Sequence, residues 1–162
     1  MRFAKVAGCA GLAVSWGIAS AQLGVGQLSS VRAGVLFPTQ NSSSGTFFEF
    51  GADTRFGGLH LPGVGVGGSV EGSIDYYQSN GNRNIPVLLN ARASFGKTSF
   101  AIGGGLGFSR VAGSGESVGF DAEFSARTQL STGPLPLYLE ARYNHSARRA
   151  VRGVAVMLGL RF

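Results

Sequence analysis

Charged residues are scarce in this sequence, and most of those present fall on alternate positions inside apolar stretches. Seven acids take that register, Glu49, Asp53, Glu71, Asp75, Asp121, Glu123 and Glu140, together with six arginines, Arg32, Arg55, Arg92, Arg127, Arg142 and Arg161. The chemistry open to such a set is mutual neutralisation. An unpaired ion held away from water costs several kcal/mol, and an arginine fork can bridge two carboxylates at once. A second group, Arg83, Arg110, Arg148, Arg149 and Arg152, falls between the apolar stretches or at their ends, with Glu116 as its single acid. Guanidinium groups left unneutralised bind phosphate and carboxylate oxygens bidentately, so this group is expected to contact an anionic surface.

Three short motifs could carry other chemistry. "GVGVGG" sets Gly63, Gly65 and Gly68 at the spacing of a dinucleotide-binding loop, which requires a helix to follow; the residues after it alternate as a strand. "GKTS" (96–99) would need a glycine five residues before Gly96 to be a phosphate loop, and that position holds Ala91. "YNHSARR" places His145 beside Ser146, a base beside a nucleophile. Adjacent strand residues point to opposite faces, however, and no neighbouring acid orients the imidazole. The other histidine, His60, falls in the opposite turn, and the single cysteine, Cys9, lies in an N-terminal export-like segment. No catalytic group, metal or cofactor is expected.

What must position the charges is a set of strands. From Gln22 onward, about ten residues of alternation closed by a turn recur eight times, over 27–37, 46–56, 64–77, 85–95, 99–110, 117–130, 135–144 and 151–162, with no helical period between them. The sixth stretch shows two faces: Val118, Phe120, Ala122, Phe124, Ala126, Thr128 and Leu130 alternate with Asp121, Glu123, Ser125, Arg127 and Gln129. The last runs Val154, Val156, Leu158, Leu160, Phe162 on one face, with Ala155, Met157, Gly159 and Arg161 between.

Composition decides which face is inside. Charged residues are 14% of the chain, against roughly 25% in typical soluble domains. Beyond residue 21 the only lysine is Lys97, whereas water-facing strands usually carry Lys, Thr and Glu. A soluble sandwich or lipocalin-like binder would put the apolar face inward; the paired charges favour the reverse, apolar face to lipid and charged face into a lumen. Only a closed barrel lets strands cross a bilayer without unpaired backbone groups. The expected fold is all-β, an eight-stranded antiparallel transmembrane β-barrel of up-and-down topology. Phe37, Phe48, Phe56, Tyr76, Phe95, Phe100, Phe108, Tyr143 and Phe162 have lipid-facing parity near strand ends, as interfacial girdles require.

Residues 1–21 read as a signal peptide: Arg2 and Lys5, an apolar stretch too short to span a bilayer, then "ASA" before Gln22. The domain is then 22–162. With a periplasmic N-terminus, "GGLHLPG" (57–63), "GK" (96–97) and "STGP" (131–134) face the periplasm. "PTQNSSSG" (38–45), "QSNGNRN" (78–84), "VAGSGE" (111–116) and "HSARRA" (145–150) face outward and carry the arginine rim.

The final alternating strand ending in Phe162, after "LYLEARYNHS", resembles the C-terminal signal by which outer-membrane barrels are recognised by the barrel-assembly machinery. Over 22–162 the chain is similar to the small outer-membrane barrels that include the OmpA transmembrane domain, OmpX and the opacity-type proteins. The resemblance implies a scaffold in the outer membrane of a diderm bacterium, in contact with outer-membrane lipids and glycolipids. No peptidoglycan-binding domain is expected after Phe162, so the tethering role of longer relatives is not expected either. One barrel family, the lipid A 3-O-deacylases, uses a serine–histidine pair; its motif has one residue between His and Ser and an Asn after, whereas here the two are adjacent and Ala147 follows. The expected role is non-enzymatic, in envelope integrity or surface interaction with a partner the sequence does not name, and no nucleic acid is involved. A narrow pore and a glycolipid-modifying enzyme are the alternatives.

Overall fold

A computed structural model describes residues 27–39, 45–61, 66–131 and 133–162. The segment 1–21, read above as a signal peptide, most of the 38–45 loop, and Gly63, Val64 and Gly65 lie outside the described residues. Eight strands follow one another: β1 (Gln27–Pro38), β2 (Phe47–Leu61), β3 (Val66–Ser79), β4 (Asn82–Phe95), β5 (Thr98–Val111), β6 (Gly115–Gln129), β7 (Leu137–Ser146) and β8 (Gly153–Arg161). Each pairs antiparallel with its sequence neighbour, and β8 returns to β1 from Ser30↔Arg161 to Pro38↔Gly153, which closes the barrel. Closure leaves no strand edge with unpaired N–H and C=O groups, the outcome the alternation demands when both faces are already committed.

Connections follow local chemistry. Gly96–Lys97 is a two-residue turn, as its dipeptide implies. The 78–84 segment, expected as a loop, is instead a two-residue turn: pairing runs on to Ser79↔Asn82, and Asn80 and Gly81 both take positive φ, 43° and 84°. Asn-Gly is the dipeptide best suited to a turn that needs left-handed backbone at both central positions. The strands therefore reach further toward this end than the alternation of large residues alone implies. Beyond Ser146 the chain makes a 3-10 turn, Arg149–Val151, that buries Ala150 and Val151. We refer to the end bearing this turn as the loop end, and to the end bearing Gly96–Lys97 as the turn end.

The molecule is inside out relative to a water-soluble core. Phe48 is 75% and Ile102 66% exposed, while Arg32 and Arg142 are each 1% exposed. The expected girdle residues Phe37, Phe56, Phe95, Phe100, Phe108, Tyr143 and Phe162 are all exposed as well. Inside, the loop end holds an apolar layer of Leu36, Phe47, Tyr77, Val151, Ala155 and Met157. Leu36 and Phe47 face one another across β1 and β2, and Ala155 faces Leu36 from β8. Below that layer the interior is charged. Room for the charges comes from small inward residues: a Cβ at Gly51 would collide with the Asp75 carboxylate and stand 3.1 Å from Arg32 Nε. Asp75 is held by two arginines and cannot swing aside. Gly51→Ala is therefore expected to destabilise the barrel by about 1–3 kcal/mol, the usual range for overpacking, read as a lower denaturant midpoint; an unchanged midpoint would mean that Asp75 is not fixed.

Candidate functional site

The centre of the lumen is a continuous ion network. Arg92 Nε meets Glu71 Oε2 at 2.8 Å, and its Nη2 lies 3.6 Å from Glu140 Oε1. Arg127 Nη2 bridges Glu140 Oε2 at 3.1 Å and Asp53 Oδ2 at 2.8 Å. Asp53 also takes hydrogen bonds from Ser30 Oγ, at 2.6 Å, and from Arg32 Nη1. Arg32 Nη2 reaches Asp75 Oδ1 at 2.7 Å. Arg142 Nη1 stands 2.7 Å from Asp75 Oδ2, 3.0 Å from Glu123 Oε2 and 3.4 Å from Glu49 Oε1. Ten side chains from six strands are joined in this way, and six carboxylates face four guanidinium groups.

Three of the inward charges stand apart from it. Asp121 is buried but makes no ion pair among the described residues; it accepts from Asn84 Nδ2 at 2.7 Å and from the Ala147 backbone N–H at 3.3 Å. The expectation of an ion pair there is corrected, because neutral donors reach Asp121 near the loop end. Arg55 and Arg161 are exposed and likewise lack a carboxylate partner among the described residues, so Arg55 is no member of the ion network. Both line a cavity of about 550 Å³ at the turn end, where the interior opens. Strand parity aims them inward correctly; their height along the barrel, which parity does not encode, leaves them above solvent.

Two features of this cavity are not anticipated by the charge pattern. Lys97, read above only as part of a turn, is one of its lining residues. Tyr138 lines it too, and the Arg127 guanidinium carbon stacks 4.0 Å from the Tyr138 ring centroid. Tyr138 sits between outward Leu137 and Leu139, so its inward parity could have been read from β7 itself.

The five rim arginines all lie at the loop end. Arg83 Nη2 meets Glu116 Oε1 at 2.6 Å, with both side chains largely in solvent. Arg148 Nε donates to Ser117 Oγ at 2.8 Å. Arg152 Nη2 donates to the Ser146 carbonyl at 3.0 Å and lies 3.1 Å from His145 Nε2. Arg110 and Arg149 are exposed with no carboxylate partner among the described residues.

The short motifs resolve by position. His145 is exposed and Ser146 buried, on opposite faces of β7. Ser146 Oγ accepts from the Arg148 backbone N–H at 3.2 Å. Gly68 belongs to β3, where a strand rather than a helix follows the glycine run. Among the described residues no group of His, Cys, Asp and Glu is arranged to hold a metal ion. In comparisons with known proteins, no protein-family model matches the chain, and no curated protein matches it in sequence.

Proposed function

We propose that the chain is a non-enzymatic outer-membrane β-barrel protein that serves envelope integrity or surface interaction, its loop-end arginines contacting anionic glycolipid or acidic polymer. The observation that carries the reading is the inverted distribution of residue types. A belt of exposed Phe, Leu, Ile and Val surrounds a lumen whose charged groups are buried and joined to one another. Such a belt in water would be an aggregation hazard, whereas in hydrocarbon it is the favourable partner of lipid tails. Strands of 9–15 residues also suit a hydrocarbon core that takes about 9–11 tilted residues to cross. On this reading residues 1–21 direct export, Phe162 ends the strand read by the assembly machinery, and the loop end faces outward.

Other roles have less behind them. A narrow pore needs a continuous polar path, and the ion network and the Leu36–Phe47–Tyr77 layer both lie across this lumen. A glycolipid-modifying enzyme needs a nucleophile and a base on one face, and His145 and Ser146 are divided between two.

Arg110 and Arg149 are the exposed rim arginines and form no ion pair among the described residues, although Arg110 stands cross-strand from Glu116, so the contact is assigned chiefly to them. Arg110→Ala combined with Arg149→Ala is expected to reduce the glycolipid that co-purifies with the detergent-extracted protein by about tenfold, as loss of two charge-assisted contacts implies. Mass spectrometry of the bound lipid measures it. Retention equal to wild type, with a heat-dependent gel mobility equal to wild type, would refute the rim assignment.

A further inference from the structure

The turn-end cavity carries an electrostatic imbalance that neither the ion network nor the rim uses. Five cationic side chains line it, Arg55, Arg92, Lys97, Arg127 and Arg161, against one carboxylate side chain, Glu71. Arg92 is committed to Glu71, and Arg127 to Glu140 and Asp53 deeper in the lumen. Arg55, Lys97 and Arg161 have no carboxylate partner among the described residues. They are drawn from β2, the β4–β5 turn and β8, and so approach one space from three directions.

The cavity floor adds donors without partners. The Tyr138 hydroxyl is buried and makes no hydrogen bond to the described protein, and neither does Arg127 Nε, on a side chain only 10% exposed. Both residues line the cavity. Those two donor atoms are themselves closed to solvent, so a solute in the cavity reaches them only if the side chains shift. Arg55, Lys97 and Arg161 are exposed, make no ion pair among the described residues, and can each donate to oxygen.

We propose that the turn-end cavity is a binding site for a small soluble phosphate-bearing anion, a phosphomonoester or diphosphate. Phosphate suits the geometry better than a carboxylate does. It brings about two negative charges near neutral pH and several acceptor oxygens, which Arg55, Lys97 and Arg161 can share. The cavity's 550 Å³ falls within the roughly 300–1,000 Å³ of small-molecule pockets and leaves space for an organic group beyond the phosphate. Because the site lies at the turn end of the barrel and its cations other than Lys97 come from inward strand positions, a solute fits it better than a headgroup anchored in a surrounding bilayer. The site lies at the opposite end of the barrel from Arg110 and Arg149, so either assignment can fail without the other.

The test is a titration of the protein, expressed from its full-length sequence and purified in nonionic detergent, with pyrophosphate at low ionic strength. Saturable one-site binding that weakens with added sodium chloride is expected. Arg55→Gln, Lys97→Gln and Arg161→Gln should each weaken it by about tenfold, and the triple variant should abolish measurable binding, since each removes a charge-assisted contact. These side chains make no ion pair, so heat-dependent gel mobility should stay at wild type and report a closed barrel throughout. Absence of saturable binding by wild type, or equal binding by a folded triple variant, would overturn the proposal. Competition by phosphatidylglycerol added to the micelle would overturn its assignment to a soluble ligand.

Discussion

Arg142→Ala is expected to destabilise the barrel by about 3–5 kcal/mol, the range found when one partner of a buried ion pair is removed. The reason lies in the company Arg142 keeps. Its guanidinium is within 4 Å of Asp75, Glu123, Glu49 and Glu140, and its side chain is fully buried. The network already sets six carboxylates against four guanidinium groups, so the variant would leave six against three in a space closed by the apolar layer above. Glu49→Gln supplies the contrast. Glu49 touches the network only through the 3.4 Å approach of Arg142 and belongs to the charge in excess. Its neutral isostere keeps the shape and an acceptor, and the expected change is within about 1 kcal/mol, the net worth of an ordinary hydrogen bond. Denaturant midpoints followed by far-ultraviolet circular dichroism compare the two. Equal losses would mean that packing volume, not charge balance, holds the lumen together.

The two substitutions also mark how far the sequence could be read. That Arg142 and Glu49 share the interior follows from period-2 alternation, because a one-residue slip would have placed every lumenal charge against the apolar belt. Strand number and the closed antiparallel order follow from the same pattern and its turns. What alternation does not carry is height along the barrel axis. Arg55 has the same parity as Asp53, two residues earlier, yet Asp53 is bound by two arginines and Arg55 lies open at the turn end. Asp121 has the parity of Glu123 but sits beside Asn84 near the loop end, where no guanidinium among the described residues reaches it. Which strand residues share a level depends on the stagger fixed by closure of β8 on β1, a long-range pairing that no local window contains. The apolar layer was hidden for another reason. Phe47 and Leu36 stand next to outward Phe48 and Phe37, and in a run of consecutive large apolar residues the inward one is told from its neighbour only by counting from a charged position on the same strand.

The outward face supports the sharpest test of where the barrel resides. Ile102 is exposed on β5, between Ala91 of β4 and Phe124 of β6, and Leu106 and Phe100 continue the apolar face along its own strand. In a bilayer this position lies within the hydrocarbon, and Ile102→Arg is expected to cost about 2–4 kcal/mol, the penalty for a cation near the midplane of a transmembrane barrel. In water the same change would exchange an exposed apolar side chain for an exposed charge and move stability by no more than about 0.5 kcal/mol. The two environments therefore differ in magnitude by several-fold for one substitution. Urea titrations of the protein refolded into phosphatidylcholine vesicles measure the difference, with Ala112→Arg, in the exposed β5–β6 turn at the loop end, as the position where either environment tolerates the charge. A large loss at Ile102 alone would fix the belt in lipid. Equal tolerance at both positions would return the belt to water, and the charged lumen would then need a different explanation.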